Sequence, residues 1–96
     1  MRVTWDEAKN LANQKKHGLS FQEARALLLS GNDYLEIFDE EHSQFEDRFV
    51  AIGPIVRGVV LVVWTERDEK TVRIISARFA TKREGALYRA HMDRMR

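Results

Sequence analysis

Ninety-six residues, 44% hydrophobic and 32% charged, predict one small soluble domain spanning residues 1–96. The lack of cysteine excludes a disulfide framework, a thiolate nucleophile and a zinc–thiolate centre, while the longest apolar run, Val59 to Trp64, is strand-sized rather than membrane-sized. Net charge is only +1, yet residues 31–50 carry seven acids against Arg48 and residues 67–96 carry nine bases against four acids, a polarity that permits an anionic partner.

Met1 to Thr4 is expected as a short edge strand, after which Thr4 and Glu7 form a capping box that starts a helix with Ala8, Leu11 and Ala12 on one side. Gly18 stops that helix. Ser20 and Glu23 repeat the capping box, Leu19 is placed to staple against Ala24, and Gly31-Asn32 closes the second helix. From Tyr34 the apolar period becomes two or continuous, which predicts strands over Tyr34–Phe38, Phe45–Ile52, Val56–Trp64 and Thr71–Ala77. The short polar links Asp39–Ser43, Gly53-Pro54 and Glu66–Lys70 make an antiparallel meander the simplest topology, with Val56–Trp64, apolar on both faces, at its centre.

Strict alternation in the last strand places Val72, Ile74, Ser76 and Arg78 on one face and Arg73, Ile75 and Ala77 on the other. Thr81 and Glu84 then cap a final helix, whose free amides beside Arg78, Lys82 and Arg83 form a plausible anion cradle. Leu87, His91 or Met92, and Met95 fall near one side of this helix, and Gly85 costs it about 1 kcal/mol of propensity relative to alanine.

The opening Trp5-Asp6-Glu7, Lys9, Asn13, Lys16-His17-Gly18, followed by Ser20-Phe21 and Glu23-Ala24, resembles the BrnT family of type II toxin–antitoxin toxins. Glu46-Asp47-Arg48, Ile52-Gly53, Thr65-Glu66-Arg67, Arg73 to Arg78, Lys82-Arg83-Glu84 and Tyr88 extend the resemblance over nearly the whole chain. It implies an α+β, RelE-like fold of two helices, a four-stranded antiparallel meander and a C-terminal helix. It also implies endoribonuclease activity that halts translation, and neutralisation by a BrnA-type antitoxin in a hetero-oligomer that contacts DNA only through the antitoxin. A cytoplasmic location is expected, since the amino terminus shows no apolar leader.

Cleaving RNA through its own 2′-hydroxyl needs a proton acceptor, a proton donor for the leaving oxygen and cations for the charge gathering on phosphorus. Arg48, Arg67 and Arg78 suit the cationic task, and Glu46 sits at i,i+2 spacing from Arg48. These four are expected to converge, with Lys16 or His17 from the helix pair facing them. Ser76, Lys82, Arg83, Glu84 and Tyr88 are the candidate RNA contacts. Three isolated histidines without ligand spacing argue against a metal site, no cofactor is expected, and His42 and His91 read as loop and packing residues. The acidic Asp39-Glu40-Glu41 suits repulsion of RNA from one side or reception of a basic antitoxin segment. The competing reading is a catalytically inactive module of the same fold that binds a protein or RNA.

Overall fold

A computed structural model describes residues 1–95. In chain order the elements are β1 (Arg2–Thr4), α1 (Glu7–His17), α2 (Phe21–Leu29), β2 (Leu35–Phe38), a 3₁₀ turn at Glu40–His42, β3 (Arg48–Ile55), β4 (Gly58–Asp68), β5 (Thr71–Phe79) and α3 (Lys82–Arg94). The strands form one sheet in the order β1-β5-β4-β3-β2, with β4 central as its two-sided apolar sequence predicts. Strands β2 to β5 are the antiparallel meander, and β1 adds itself parallel to β5 through Arg2 to Thr4, so the whole sheet is mixed.

Helices α1 and α2 cover one face. Leu19, Phe21, Ala24, Leu27 and Leu28 pack there with Ala51, Val60, Val62, Trp64, Val72, Ile74 and Ala77. Each fully buried large side chain in this layer, such as Phe21 or Leu27, contributes about 1.5–3 kcal/mol relative to exposure. Helix α3 lies on the opposite face, against β2 and β3.

Helix α1 departs from the sequence expectation in a telling way. Thr4 belongs to the sheet, donating its hydroxyl to the Val72 carbonyl at 3.2 Å, and the helix is capped by Asp6, which accepts from the Lys9 amide at 3.1 Å. The inward residues are Asn10 and Asn13, while Ala8, Leu11 and Ala12 are exposed. The reason is the backbone beneath. Strand β1 stops at Thr4, opposite Arg73, so β5 continues with its edge unpaired. Asn13 replaces the missing strand: its Oδ1 accepts from Ala77 N at 3.2 Å and its Nδ2 donates to Ala77 O at 2.7 Å and to Leu19 O at 2.9 Å. Asn10 ties the helix pair together, accepting from Phe21 N at 2.8 Å and donating to Glu7 and Gln22. A buried backbone polar group needs a partner, and an apolar stripe here would leave several without one.

The link expected at Gly53-Pro54 lies inside β3; the hairpin turns at Val56-Arg57, with Ile55 opposite Gly58. Gly53 is required by close packing, since a Cβ there would meet Leu27 Cδ1 at 2.7 Å and Tyr34 Cβ at 2.9 Å. Pro54 is tolerated because β2 ends its pairing at Ile52, so the proline stands beyond its reach. Strand β4 also runs past its expected end to Asp68, leaving Glu69-Lys70 as the turn.

Strand β5 departs furthest from the alternation its sequence predicts. Its register against β4 slips between Val63 and Trp64, so that Ser76 pairs with Val63 but Ile74 pairs with Trp64 and Ile75 is the extra residue of a β-bulge. The bulge swaps the faces on either side of it. Val72 and Ile74 join Ala77 in the helix-covered core, and Arg73, opposite Thr65, lies on the same side as Ser76 and Arg78.

Replacing Asn13 by alanine is expected to lower unfolding free energy by about 2–4 kcal/mol, because it strands the Ala77 amide and carbonyl. Leu11→Ala, on the exposed stripe, is expected to change it by under about 0.5 kcal/mol. Urea denaturation of the two variants checks this, and equal effects would mean that the asparagine bridge is not what fastens α1.

Candidate functional site

The sheet face opposite the helix pair carries Arg78 and Ser76 on β5, Val63 and Thr65 on β4, and Arg48 and Val50 on β3. Arg78 is clasped by Glu84 of α3 in a two-pronged ion pair, Nη1 to Oε1 at 2.7 Å and Nη2 to Oε2 at 2.8 Å. The same carboxylate accepts from the Thr81 amide at 2.9 Å while the Glu84 amide donates to the Thr81 hydroxyl, completing the expected capping box. The Arg78 guanidinium above all, with the Thr81 amide helping against burial, holds the Glu84 carboxyl down at about 2.

Arg48 occupies a different place and a different state. The register sets Arg78 opposite Leu61 and Arg48 opposite Thr65, on strands flanking β4, so their Cα atoms lie about 17 Å apart at ~3.4 Å per residue and ~4.8 Å per strand. The expected convergence of the arginines is therefore two stations on one face. Arg48 is partly buried, its Nε is shut from solvent without a partner, and its guanidinium makes no hydrogen bond among the described residues; Glu46 Oε1 is 3.7 Å from its Nη2. Arg67 is exposed near the end of β4, at the same end of the sheet, beside a second register slip.

The strand expected from Phe45 begins only at Arg48, because residues 39–47 fold as a loop closed at its neck. The Asp39 amide donates to Arg48 O at 2.9 Å, the Arg48 amide donates to Ser43 Oγ at 2.9 Å, and the Ser43 hydroxyl donates to Asp39 O. Thr65 adds its hydroxyl to the Asp47 carbonyl at 2.6 Å. On this loop Phe45 is 99% exposed and Glu46 lies in the open bend. A cavity of about 300 Å³ is lined by Glu41, His42, Gln44, Phe45 and Arg48. Beside it, a larger groove between α3 and β2 has apolar walls, including Ile37, Val50 and Leu87, and acids at its rim. Leu87, from the side of α3 that also carries Met95, lines that groove and is about half exposed, as is Met95.

Lys16 and His17 end α1 one turn beyond the Asn13–Ala77 bonds, on the helix-covered side of the sheet, and so do not stand over the open face. Lys82 and Arg83 are exposed in the first turn of α3, where Glu84 supplies the anion that the helix start favours, and Tyr88 is half-buried one turn on. Much of the opening motif is structural. Asp6 and Ser20 cap helices, Gly18 takes φ 67° to end one, Trp5 stands edge-on to Phe21, and Glu23 binds Arg57 at 2.9 Å. The sequence reads Asp39–Ser43 as a polar link but puts Phe45 in the following strand, so the loop's extension to Asp47 and the exposed ring are missed; the available signal is the Asp39–His42 spacing of three, which places both on one side of a turn. Among the described residues no three His, Asp or Glu side chains gather as a metal site.

A three-helix α+β domain whose mixed sheet carries arginines on the face that α3 covers in part has the form of a small ribonuclease toxin. The fold is shared with the 1.1 Å crystal structure of the Brucella abortus ribonuclease toxin BrnT, at 24% identity and a TM-score of 0.63, covering 85% of this chain and 99% of that one. No curated protein matches the chain. The model of the BrnT ribonuclease toxins of type II toxin–antitoxin systems matches residues 5–84, and the chain belongs to that family.

Folding holds the Glu84 carboxyl near 2 against an ordinary 4.5, so the clasp is fully stabilising above about pH 4.5 and is lost as pH falls toward 2. Glu84→Gln is expected to cost about 1–3 kcal/mol at neutral pH, with the difference from wild type closing below pH 3. Stability measured from pH 2 to 7 checks this; a constant difference across the range would mean that the ion pair is not its source.

Proposed function

We propose that this toxin is a metal-independent endoribonuclease that halts translation by cutting RNA at the arginine-bearing sheet face beside α3, and that a BrnA-type antitoxin neutralises it in a hetero-oligomer. The observation that carries the reading is Arg48: a guanidinium held by a stapled loop, half withdrawn from water, facing a cavity and free of any hydrogen bond among the described residues. Such a group is prepared for phosphate, because its fork matches two phosphate oxygens and its positive charge opposes the charge that builds on phosphorus. Arginines rather than a carboxylate cluster mark this face, which supports charge stabilisation by the protein without a metal.

In this reading Glu46 and Arg67 flank Arg48 at the cutting end, with Glu46 limiting its swing. Arg78 fixes α3 to β5 through Glu84, and Ser76 lies between the two stations. The RNA leaving the cutting end would meet Lys82 and Arg83 at the start of α3, with Tyr88 behind them, and Lys16 and His17 would add cations at the margin. The antitoxin would cover this face, and DNA would be contacted through the antitoxin alone.

Purified wild type in excess chelator is expected to cleave single-stranded RNA, and folded Arg48→Ala to do so about 10²–10³-fold more slowly, the cost typical of losing one donor to a developing oxyanion. Gel analysis of end-labelled RNA, with and without translating ribosomes, measures it. A folded wild type that cuts under neither condition would leave a binding module as the function.

A further inference from the structure

We infer that His42, oriented by Asp39, is the general base of RNA cleavage, with Phe45 stacking a base beside the phosphate that Arg48 holds. The inference rests on the ribonuclease reading above and gives that site its proton acceptor.

Three independent features meet on the loop 39–48. First, His42 Nδ1 lies 2.9 Å from Asp39 Oδ2. An ionised carboxylate only accepts, so the ring proton sits on Nδ1 and the lone pair of a neutral imidazole is left on Nε2. The His42 side chain is 62% exposed and the Asp39 side chain 23%, so the base is reachable while its orienting partner is sheltered. Second, the ring shares its cavity with Arg48, whose Nε is buried and unpartnered. Third, Phe45 lines the same cavity with its ring wholly in water, an arrangement that packing does not ask for and that a nucleobase would cover. The hydrogen bonds of Asp39, Ser43 and Arg48 at the loop neck hold the acceptor and the cation in fixed relation before RNA arrives.

The reaction balances with these groups. His42 Nε2 takes the proton of the ribose 2′-hydroxyl as its oxygen bonds to phosphorus. The bond from phosphorus to the 5′-oxygen breaks, that oxygen takes a proton from water, the hydroxide so formed takes the proton back from His42, and the products are a 2′,3′-cyclic phosphate and a 5′-hydroxyl. The Arg48 guanidinium faces the non-bridging oxygens throughout. The charged groups around His42 are Asp39, Glu40 and Glu41 of its own turn, Arg48 from β3 and Glu84 from α3 across the adjoining groove. Since Glu84 is committed to Arg78, Asp39 is the carboxylate that orients the ring. Asp39 is thus a positioning residue, whereas His42 touches the reacting atom.

The test is steady-state cleavage of a short single-stranded RNA between pH 5 and 9, with folding of each variant verified by thermal melts. His42→Ala is expected to lose about 10²-fold or more in kcat and to regain activity with added imidazole. His42→Gln, whose amide can still donate to Asp39 and preserve the turn, is expected to be as slow. Asp39→Asn is expected to lower kcat about tenfold with little change in KM, and Asp39→Glu, which can still accept from the ring, to recover part of that loss. Phe45→Leu is expected to raise KM more than it lowers kcat. If folded His42→Ala and His42→Gln cut at the wild-type rate while Arg48→Ala is slow, the inference is overturned and the ribonuclease reading stands. A wild type that cuts no RNA overturns both.

Discussion

The unpaired edge of β5 beyond Arg73 is the constraint on which the rest of the molecule depends. A sheet edge facing the core exposes amides and carbonyls that cannot reach water, and no further strand is available because β1 has already ended. Asn13 answers with one side-chain amide that both accepts from and donates to Ala77, and Asn10 uses its own amide to bind the start of α2. The helix pair is thereby fixed in position and angle over the sheet by directional bonds, and the hydrophobic layer of Phe21, Leu27, Val60 and Ile74 fills the space so defined. Hydrophobic burial supplies most of the driving force, yet it is nondirectional; the asparagines decide where α1 lies.

The bulge at Ile75 makes the two faces of β5 compatible with their surroundings. Below it Val72 and Ile74 must be covered, and above it Ala77 must be covered while Arg78 reaches α3. A regular strand cannot do both, since Ile74 and Ala77 are separated by an odd number of steps. One extra residue corrects the phase and puts Arg73, Ser76 and Arg78 together on the open side. Arg73 is drawn toward the edge by Asp6, at 3.9 Å, a distance that marks a weak pair between partly exposed groups.

Charge on the arginine-bearing face divides into a tightly neutralised station and a loosely paired one. The pairing of Arg78 with Glu84 joins the last strand to the last helix and leaves little of that guanidinium for a ligand. Arg48, held through its backbone and stem, makes no side-chain hydrogen bond among the described residues and only a loose 3.7 Å pair with Glu46, beside Phe45 and His42. In a ribonuclease toxin this division separates the group that holds the architecture from the groups proposed to meet RNA. The acids at the rim of the neighbouring groove suit a basic partner segment approaching from the α3 side.

The sequence by itself determined the elements whose causes are local. Helix starts at Ser20 and Thr81, the stop at Gly18 and the central two-sided strand β4 follow from caps, a left-handed glycine and apolar periodicity, all of which act within a few residues. The residues of the family resemblance were legible too, and so were Glu46 and Arg48 as neighbours. What only the tertiary structure decided depends on contacts distant in the chain. The polar inner face of α1 follows from an edge 64 residues away, and the core side of Val72 and Ile74 follows from a bulge defined by β4. The tight clasp of Arg78 and the loose pairing of Arg48 depend on how closely a carboxylate reaches each guanidinium, which alternation along a strand cannot state. The loop from Asp39 to Arg48 acquires its shape from hydrogen bonds across its own neck, so the grouping of His42, Phe45 and Arg48 exists only once β2 and β3 have paired.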